Sequence, residues 1–297
     1  MQPVPPSEKP NNSIATATGQ PKASAPNRGL ELVVIGPGGD GTLPMKLAGR
    51  IADSDPSVQQ FFARAVFIDS SIDAIKQLQY SLGRNFYWVT KEEMQRVSGL
   101  GAVKEVRADE KLPLHYELVC ADFPRDKESR QPMGDAVLLN YMLPYHGYDK
   151  WGAIIEAAYE QVNSGGVLIL PFHELNYHRD ISRSIGHFLS WIGGRTLDID
   201  AAADGIMALP GLKNANFSFH LIDGGALWPT RHAAKRIVEF LSLDIPSNLA
   251  LIKQNPDKLG SFVEAQRVVH EIDGKRTVLY ELLVDNKVIV ARKPQNY

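Results

Sequence analysis

The chain has a single cysteine, Cys120, among its 297 residues. That scarcity excludes an internal disulfide framework and any cysteine-rich zinc site. Cys120 lies in the apolar run "YELVCADF". It is expected to serve as a small buried hydrophobe, with a reactive thiol as the alternative. Long hydrophobic runs are also missing. None approaches the ~20 residues needed to span a bilayer, and the N-terminus lacks the apolar core of a secretory signal. A cytoplasmic protein without a membrane partner is the expectation. Nor is there an excess of either charge: Lys and Arg number 32 against 34 Asp and Glu, giving a formal net charge of −2. Nothing in that balance draws the chain as a whole to nucleic acid. What is present is ordinary for a globular protein, with 44% hydrophobic and 22% charged residues, and the length allows a sizeable core.

Residues 1–28 are rich in Pro, Ser, Thr, Asn and Ala and nearly devoid of large apolar side chains. Such a segment cannot offset the entropy of ordering, so a flexible tail is expected, with a docking segment as the alternative. From Leu30 the pattern changes. "LELVVI", "ARAVFIDSS", "YELVCADF", "GDAVLLNYM" and "GGVLILPF" read as short buried strands. Helical spacing falls between them, over 42–52, 72–82 and 148–162, the last stopping at "NSGG". This succession predicts an α/β fold with a doubly wound, mostly parallel sheet. The irregular stretch 83–115 reads as an insertion or cover. Near the end, "RTVLYELLV" and "KVIVAR" flank Asp285-Asn286, which reads as a two-residue hairpin turn. An antiparallel strand pair is therefore expected to close the sheet.

The glycine cluster Gly36-Pro37-Gly38-Gly39-Asp40-Gly41 joins the first strand to the first helix. Glycines there permit positive φ and let a ligand approach backbone closely, and the following helix presents free N–H groups. Gly36, Gly38 and Gly41 fit G-x-G-x-x-G, a sign of an adenosine-containing ligand that does not say which one. A structural turn is the plain alternative. Asp69 ends the second strand, where a carboxylate can accept from both ribose hydroxyls; capping the next helix is its other possible role.

"VVIGPGGDGTL", "AVFIDSS", "ELVCADFPRD", "DAVLLNYMLPYHG" and "NSGGVLILPFHE" resemble, in order, the sequence blocks of class I methyltransferases that use S-adenosylmethionine (SAM). The resemblance covers about residues 30–174, and the glycine block is also similar to that of spermidine synthases, whose donor is decarboxylated SAM. The resemblance implies a Rossmann-like domain over 29–297, with a cofactor-binding half at about 29–174. A substrate-side, sheet-completing half would follow at about 175–297. It implies that Gly36, Gly38 and Gly41 approach the methionine and ribose portions of SAM. Asp69 would hold the ribose, with Ser70 beside the adenine, and Asp122 the adenine amino group, with Phe123 next to it. Asn140 and Tyr141 would face the reacting methyl. One position departs from the family: the usual acid two residues before the first glycine is Val34, and Asp40 is a candidate substitute. An NAD-dependent dehydrogenase would share the glycines and Asp69, but not Asp122 or the closing antiparallel pair.

Aromatic and imidazole groups concentrate in "NYMLPYHGYDKW" after the fourth strand. His146 is the candidate base and Tyr141 a second catalytic candidate. Tyr145 is a candidate for substrate contact, and Trp151 reads as helix core. His173, from "PFHELNYHRD", and Trp228, from "GGALWPTRH", are further substrate-binding candidates. The spacing of His173, Glu174 and His178 matches no strong ligand pattern, so no metal is expected. The reading is SAM-dependent methyl transfer to a small amine or hydroxyl compound, not to nucleic acid. Rival readings are aminopropyl transfer, a dehydrogenase, and a SAM-fold binding protein without catalysis.

Overall fold

Among the described residues of the computed structural model, eight strands form one sheet and three form another. The residues described are 30–37, 62–83, 102–105, 115–124, 133–143, 146–176, 179–222, 225–242, 245, 247–272 and 274–295. The tail expected at 1–28 and the helix expected at 42–52 lie outside them. The strands of the large sheet are β1 (Leu30–Ile35), β2 (Phe62–Asp69), β3 (Ala102–Glu105), β4 (His115–Cys120), β5 (Gly134–Leu139), β6 (Val162–Glu174), β7 (Asn216–Ile222) and β11 (Asp285–Arg292). Their spatial order is β3-β4-β2-β1-β5-β6-β11-β7. β4, β2, β1, β5 and β6 pair in parallel, while β11 runs antiparallel to both β6 and β7. This is the mostly parallel, doubly wound sheet the sequence predicts, closed by a reversed C-terminal strand.

The chain winds outward from β1 through β2 and β4, then returns to the other side of β1 with β5 and β6. The order therefore reverses between β1 and β5, and a crevice opens at the carboxyl ends of these strands.

Alternation along the strands fills both faces. Val33, Ile35, Val66, Ile68, Val137 and Leu139 point to one side. Helix α2 (Tyr148–Glu160) covers them with Trp151, Ile154, Ile155 and Ala158. Leu32, Val34, Phe67 and Leu138 point to the other, where α1 (Ile72–Gly83) supplies Ile75 and Leu78. Burying one such side chain contributes about 1.5–3 kcal/mol. Val34 belongs to this core and is fully buried, so the position at which the family carries an acid serves packing here. Cys120 is half-buried, its thiol 3.7 Å from the Ser70 carbonyl.

A separate core joins Leu175 to α3 (Ile185–Trp191), α5 (Arg231–Leu241), α6 (Ser247–Gln254) and α7 (Pro256–Ala265). It backs a small antiparallel sheet of β8 (Gly225–Trp228), β9 (Arg267–Ile272) and β10 (Lys275–Leu283), in the order β8-β10-β9. A further helix, α4 (Ile199–Met207), packs on the α2 face of the large sheet.

The structure corrects three local expectations. "NSGG" does not end a helix: α2 stops at Glu160, and 163–166 form an irregular opening of β6, with Gly165 at φ +80° and a register shift opposite Gly134/Ala136. The helix end is held instead by Lys293, whose Nζ donates to the carbonyls of Tyr159 (3.3 Å), Glu160 (3.4 Å) and Val162 (2.8 Å), a favourable place for a cation. Asp285-Asn286 is not a hairpin turn. β10 pairs with β8 and β9, and the chain passes through Val284 straight into β11, which inserts between β6 and β7. The antiparallel partner of β11 at the sheet's edge is thus β7, some 60 residues earlier in the chain. Finally, part of the irregular stretch 83–115 extends the sheet, as β3 pairs antiparallel with β4.

Candidate functional site: two cavities divided by one turn

At the end of β1 the chain turns through Gly36, at φ +70°. Its N–H donates to the Ile68 carbonyl at 2.8 Å, and the Asn140 N–H donates to the Ile35 carbonyl at 2.9 Å. The Asn140 carboxamide also donates to the Gly36 carbonyl at 3.2 Å. The ends of β1, β2 and β5 are pinned together by these bonds. A Cβ on Gly36 would lie 2.9 Å from the Cβ of Met142, so glycine is required both by φ and by space.

Asp69 closes β2. Its Oδ1 accepts the Ser71 N–H at 2.8 Å, while Ser71 Oγ accepts the Ala74 N–H at 3.2 Å. Ser71 thus caps α1, and Asp69 shapes the turn before it. After β4 come Asp122, exposed, and Phe123, buried. His146 follows β5 and is half-buried. Its N–H donates to the Leu143 carbonyl at 2.9 Å, and its own carbonyl accepts the Trp151 indole N–H at 3.2 Å. Trp151 is 4% exposed, a core anchor that fixes the His146 loop.

Between these groups lies a cavity of about 410 Å³, lined by Gly36, Asp69, Ser70, Asp122, Phe123, Asn140 and His146. Seven sequence-predicted residues are therefore brought together here. Asn140 Oδ1 is buried and has no hydrogen-bond partner among the described residues. Gly38, Asp40, Gly41 and Tyr145 lie outside the described residues, as does His178. Among the described residues no group of three or more His, Cys, Asp or Glu side chains is placed to hold a metal ion.

The other three candidates, Tyr141, His173 and Trp228, line a second cavity of about 300 Å³. Tyr141 has φ +51°, unusual for a residue with a side chain, and this left-handed geometry costs about 1–2 kcal/mol. It turns Tyr141 toward the second cavity while its neighbours Asn140 and Met142 line the first. The Tyr141 ring stacks on His173 at 4.0 Å between centroids and 6° between planes. Its hydroxyl donates to Asn286 Oδ1 at 2.8 Å, and His173 Nδ1 lies 3.2 Å from the same oxygen. Burial drives the His173 imidazole down to about 4, against the opposing effect of its bond to Asn286, so it is neutral near pH 7. Trp228 Nε1 is buried with no partner among the described residues.

Asn286 and Met142 are functional candidates the sequence reading missed. Asn286 was hidden by its turn-like pairing with Asp285. The apolar runs "LYELLV" and "VIVA", separated by only Asp285–Lys287, were the available signal that a strand continues there. Nothing in the sequence marks Met142.

No protein-family model matches the chain, and no curated protein matches it in sequence. Solved structures similar to it include a Bacillus halodurans protein assigned as a methyltransferase, 12% identical at TM-score 0.44, over 90% of this chain and 94% of that one. The precorrin-6y C5,15-methyltransferase of Geobacter metallireducens is 12% identical at TM-score 0.39, over 89% and 80% of the two chains. The magnesium protoporphyrin IX methyltransferase of Synechocystis, solved with SAM bound, is 11% identical at TM-score 0.35, over 89% and 70%. What the site can do is read from its own residues.

Proposed function

We propose that the chain transfers a methyl group from SAM to a small-molecule acceptor. The observation that carries this is the convergence of Asp69 and Asp122 with Gly36 and Asn140 around one cavity, at the carboxyl ends of four adjacent parallel strands. The residues fit the group: Gly36 leaves backbone accessible, the carboxylates suit ribose and adenine donors, and Asn140 Oδ1 is a buried acceptor lacking a donor among the described residues. The reversed β11 beside β6 favours methyl transfer over a nicotinamide dehydrogenase, whose sheet continues in parallel with order 3-2-1-4-5-6.

Bound there, SAM supplies an already activated sulfonium methyl group. Asp69 would accept from the ribose hydroxyls and Asp122 from the adenine amino group, with Ser70 and Phe123 lining the base side. Asn140 and Tyr141 fix the turn that divides donor from acceptor. Most acceleration then comes from approach and exclusion of water. With a hydroxyl acceptor, His146 takes the proton. The partner is a small molecule, and the net charge of −2 provides no general attraction for nucleic acid.

Calorimetric titration with SAM, S-adenosylhomocysteine, decarboxylated SAM and NAD tests the proposal. Micromolar binding of SAM and S-adenosylhomocysteine is expected. Selective binding of NAD or decarboxylated SAM would replace methyl transfer by dehydrogenation or aminopropyl transfer, and binding of none would leave a non-catalytic fold. His146→Ala should lower kcat about 100-fold or more on a hydroxyl acceptor while SAM affinity holds. Unchanged kcat would remove His146 from the chemistry.

A further inference from the structure

The second cavity has a composition that selects its occupant. Ile237, Leu241, Leu282 and Val284 form its apolar wall, and no charged side chain is among the described residues that line it. A carboxylate, phosphate or ammonium placed against it would give up hydration with no charged side chain among the described lining residues to neutralise it. Its polar groups are few and distinct. Asn286 Oδ1 is an acceptor facing both the Tyr141 hydroxyl and His173 Nδ1. An acceptor opposite Nδ1 requires the proton to be on Nδ1, which leaves Nε2 as a bare lone pair in the neutral ring. Trp228 Nε1 is the complementary group: a buried N–H donor without a partner among the described residues. Leaving such a donor unpaired is costly, and an oxygen supplied by a ligand relieves it.

We infer that this cavity binds an uncharged, largely apolar ring compound bearing a hydroxyl group, the hydroxyl donating to His173 Nε2 and a ligand oxygen accepting from Trp228 Nε1. The low basicity of His173 agrees, since an imidazole that stays neutral keeps its acceptor. The volume of about 300 Å³ suits a molecule of two fused rings. The shared turn at Asn140–Met142 sets this ligand next to the first cavity, so on the proposed function above it is the methyl acceptor, anchored by this hydroxyl at His173 and methylated at another group that reaches the His146 side. The binding claim itself does not depend on that function.

The test is calorimetric titration of the full chain at pH 7, without SAM, using 2-naphthol, 2-naphthoate and naphthalene. 2-Naphthol should bind at least tenfold more tightly than 2-naphthoate, and more tightly than naphthalene. His173→Phe and Trp228→Phe, which keep ring bulk, should each weaken 2-naphthol at least fivefold. In the wild-type chain, the nitrogen NMR signal of His173 Nε2 should be that of an unprotonated nitrogen and should shift on adding 2-naphthol. That readout stands even where a variant fails to fold. Equal or tighter binding of 2-naphthoate, a protonated Nε2, or 2-naphthol affinity untouched by both substitutions would overturn the inference. Loss of SAM binding with 2-naphthol binding intact would instead defeat only the methyl-transfer proposal.

Discussion

The two cavities share a three-residue turn and little else. The first is rimmed by carboxylates, Asp69 and Asp122, and backed by Gly36, where backbone replaces side chain. The second has an aliphatic wall with a neutral imidazole, a phenol, a carboxamide and an indole. The first suits a polar ligand rich in hydrogen-bond donors, the second an uncharged one. The difference teaches how a single sheet edge can keep two ligands apart while letting them meet: Tyr141, forced into left-handed backbone, presents opposite sides of one turn to two environments.

The contrast can be broken most strongly at Gly36. Gly36→Ala puts a Cβ 2.9 Å from Met142 and an L-residue at φ +70°. The combined strain and overpacking should destabilise the fold by about 3 kcal/mol, seen as a lower midpoint in urea, with SAM binding lost as well. An unshifted midpoint would mean the turn relaxes. Next is acid. His173 holds its proton only below about 4 in the folded chain, against its ordinary 6.5. Between those values the unfolded chain binds a proton that the folded chain does not, so stability falls as pH drops from 6.5 toward 4. The loss should be no more than about 3 kcal/mol and should be missing from His173→Phe; equal acid sensitivity in both proteins would contradict it. Asp69→Ala should weaken SAM by at least ~1.5 kcal/mol, the loss of charge-assisted hydrogen bonds. Unchanged affinity in a folded variant would sink the site assignment. Smallest, Asn286→Ala should lower stability by about 1–2 kcal/mol by removing the acceptor that the Tyr141 hydroxyl and His173 Nδ1 share, and should relax the His173 tautomer without touching SAM affinity.

The contrast also explains what could be read from the sequence. In the parallel run each site residue sits at, or just beyond, the end of a strand: Gly36 after β1, Asp69 closing β2, Asp122 after β4, Asn140 after β5. Short buried strands announce their own ends, so these positions were legible as soon as the strands were. The second cavity is assembled from Tyr141, His173, Trp228 and Asn286, which meet only because β11 inserts beside β6 and β10 joins another sheet. Three of the four stood out by residue type, but their grouping depended on non-local pairing that no local pattern encodes. The misread hairpin had the same origin: turn chemistry at Asp285-Asn286 was overridden by the pairing of β11 with β6 and β7, which leaves Asp285 1% exposed within the large sheet. The glycines of "NSGG" similarly serve a strand irregularity because Lys293, more than 130 residues away, already holds the helix end.

The most direct test of two separate sites is a crossed titration: SAM and 2-naphthol, each against wild type, Asp69→Ala and His173→Phe. The predicted result is a crossover, in which Asp69→Ala loses SAM affinity and keeps 2-naphthol, while His173→Phe does the reverse. If either substitution weakens both ligands equally in a folded protein, or SAM affinity follows His173 and not Asp69, the division of the site into two cavities of opposite chemistry is contradicted.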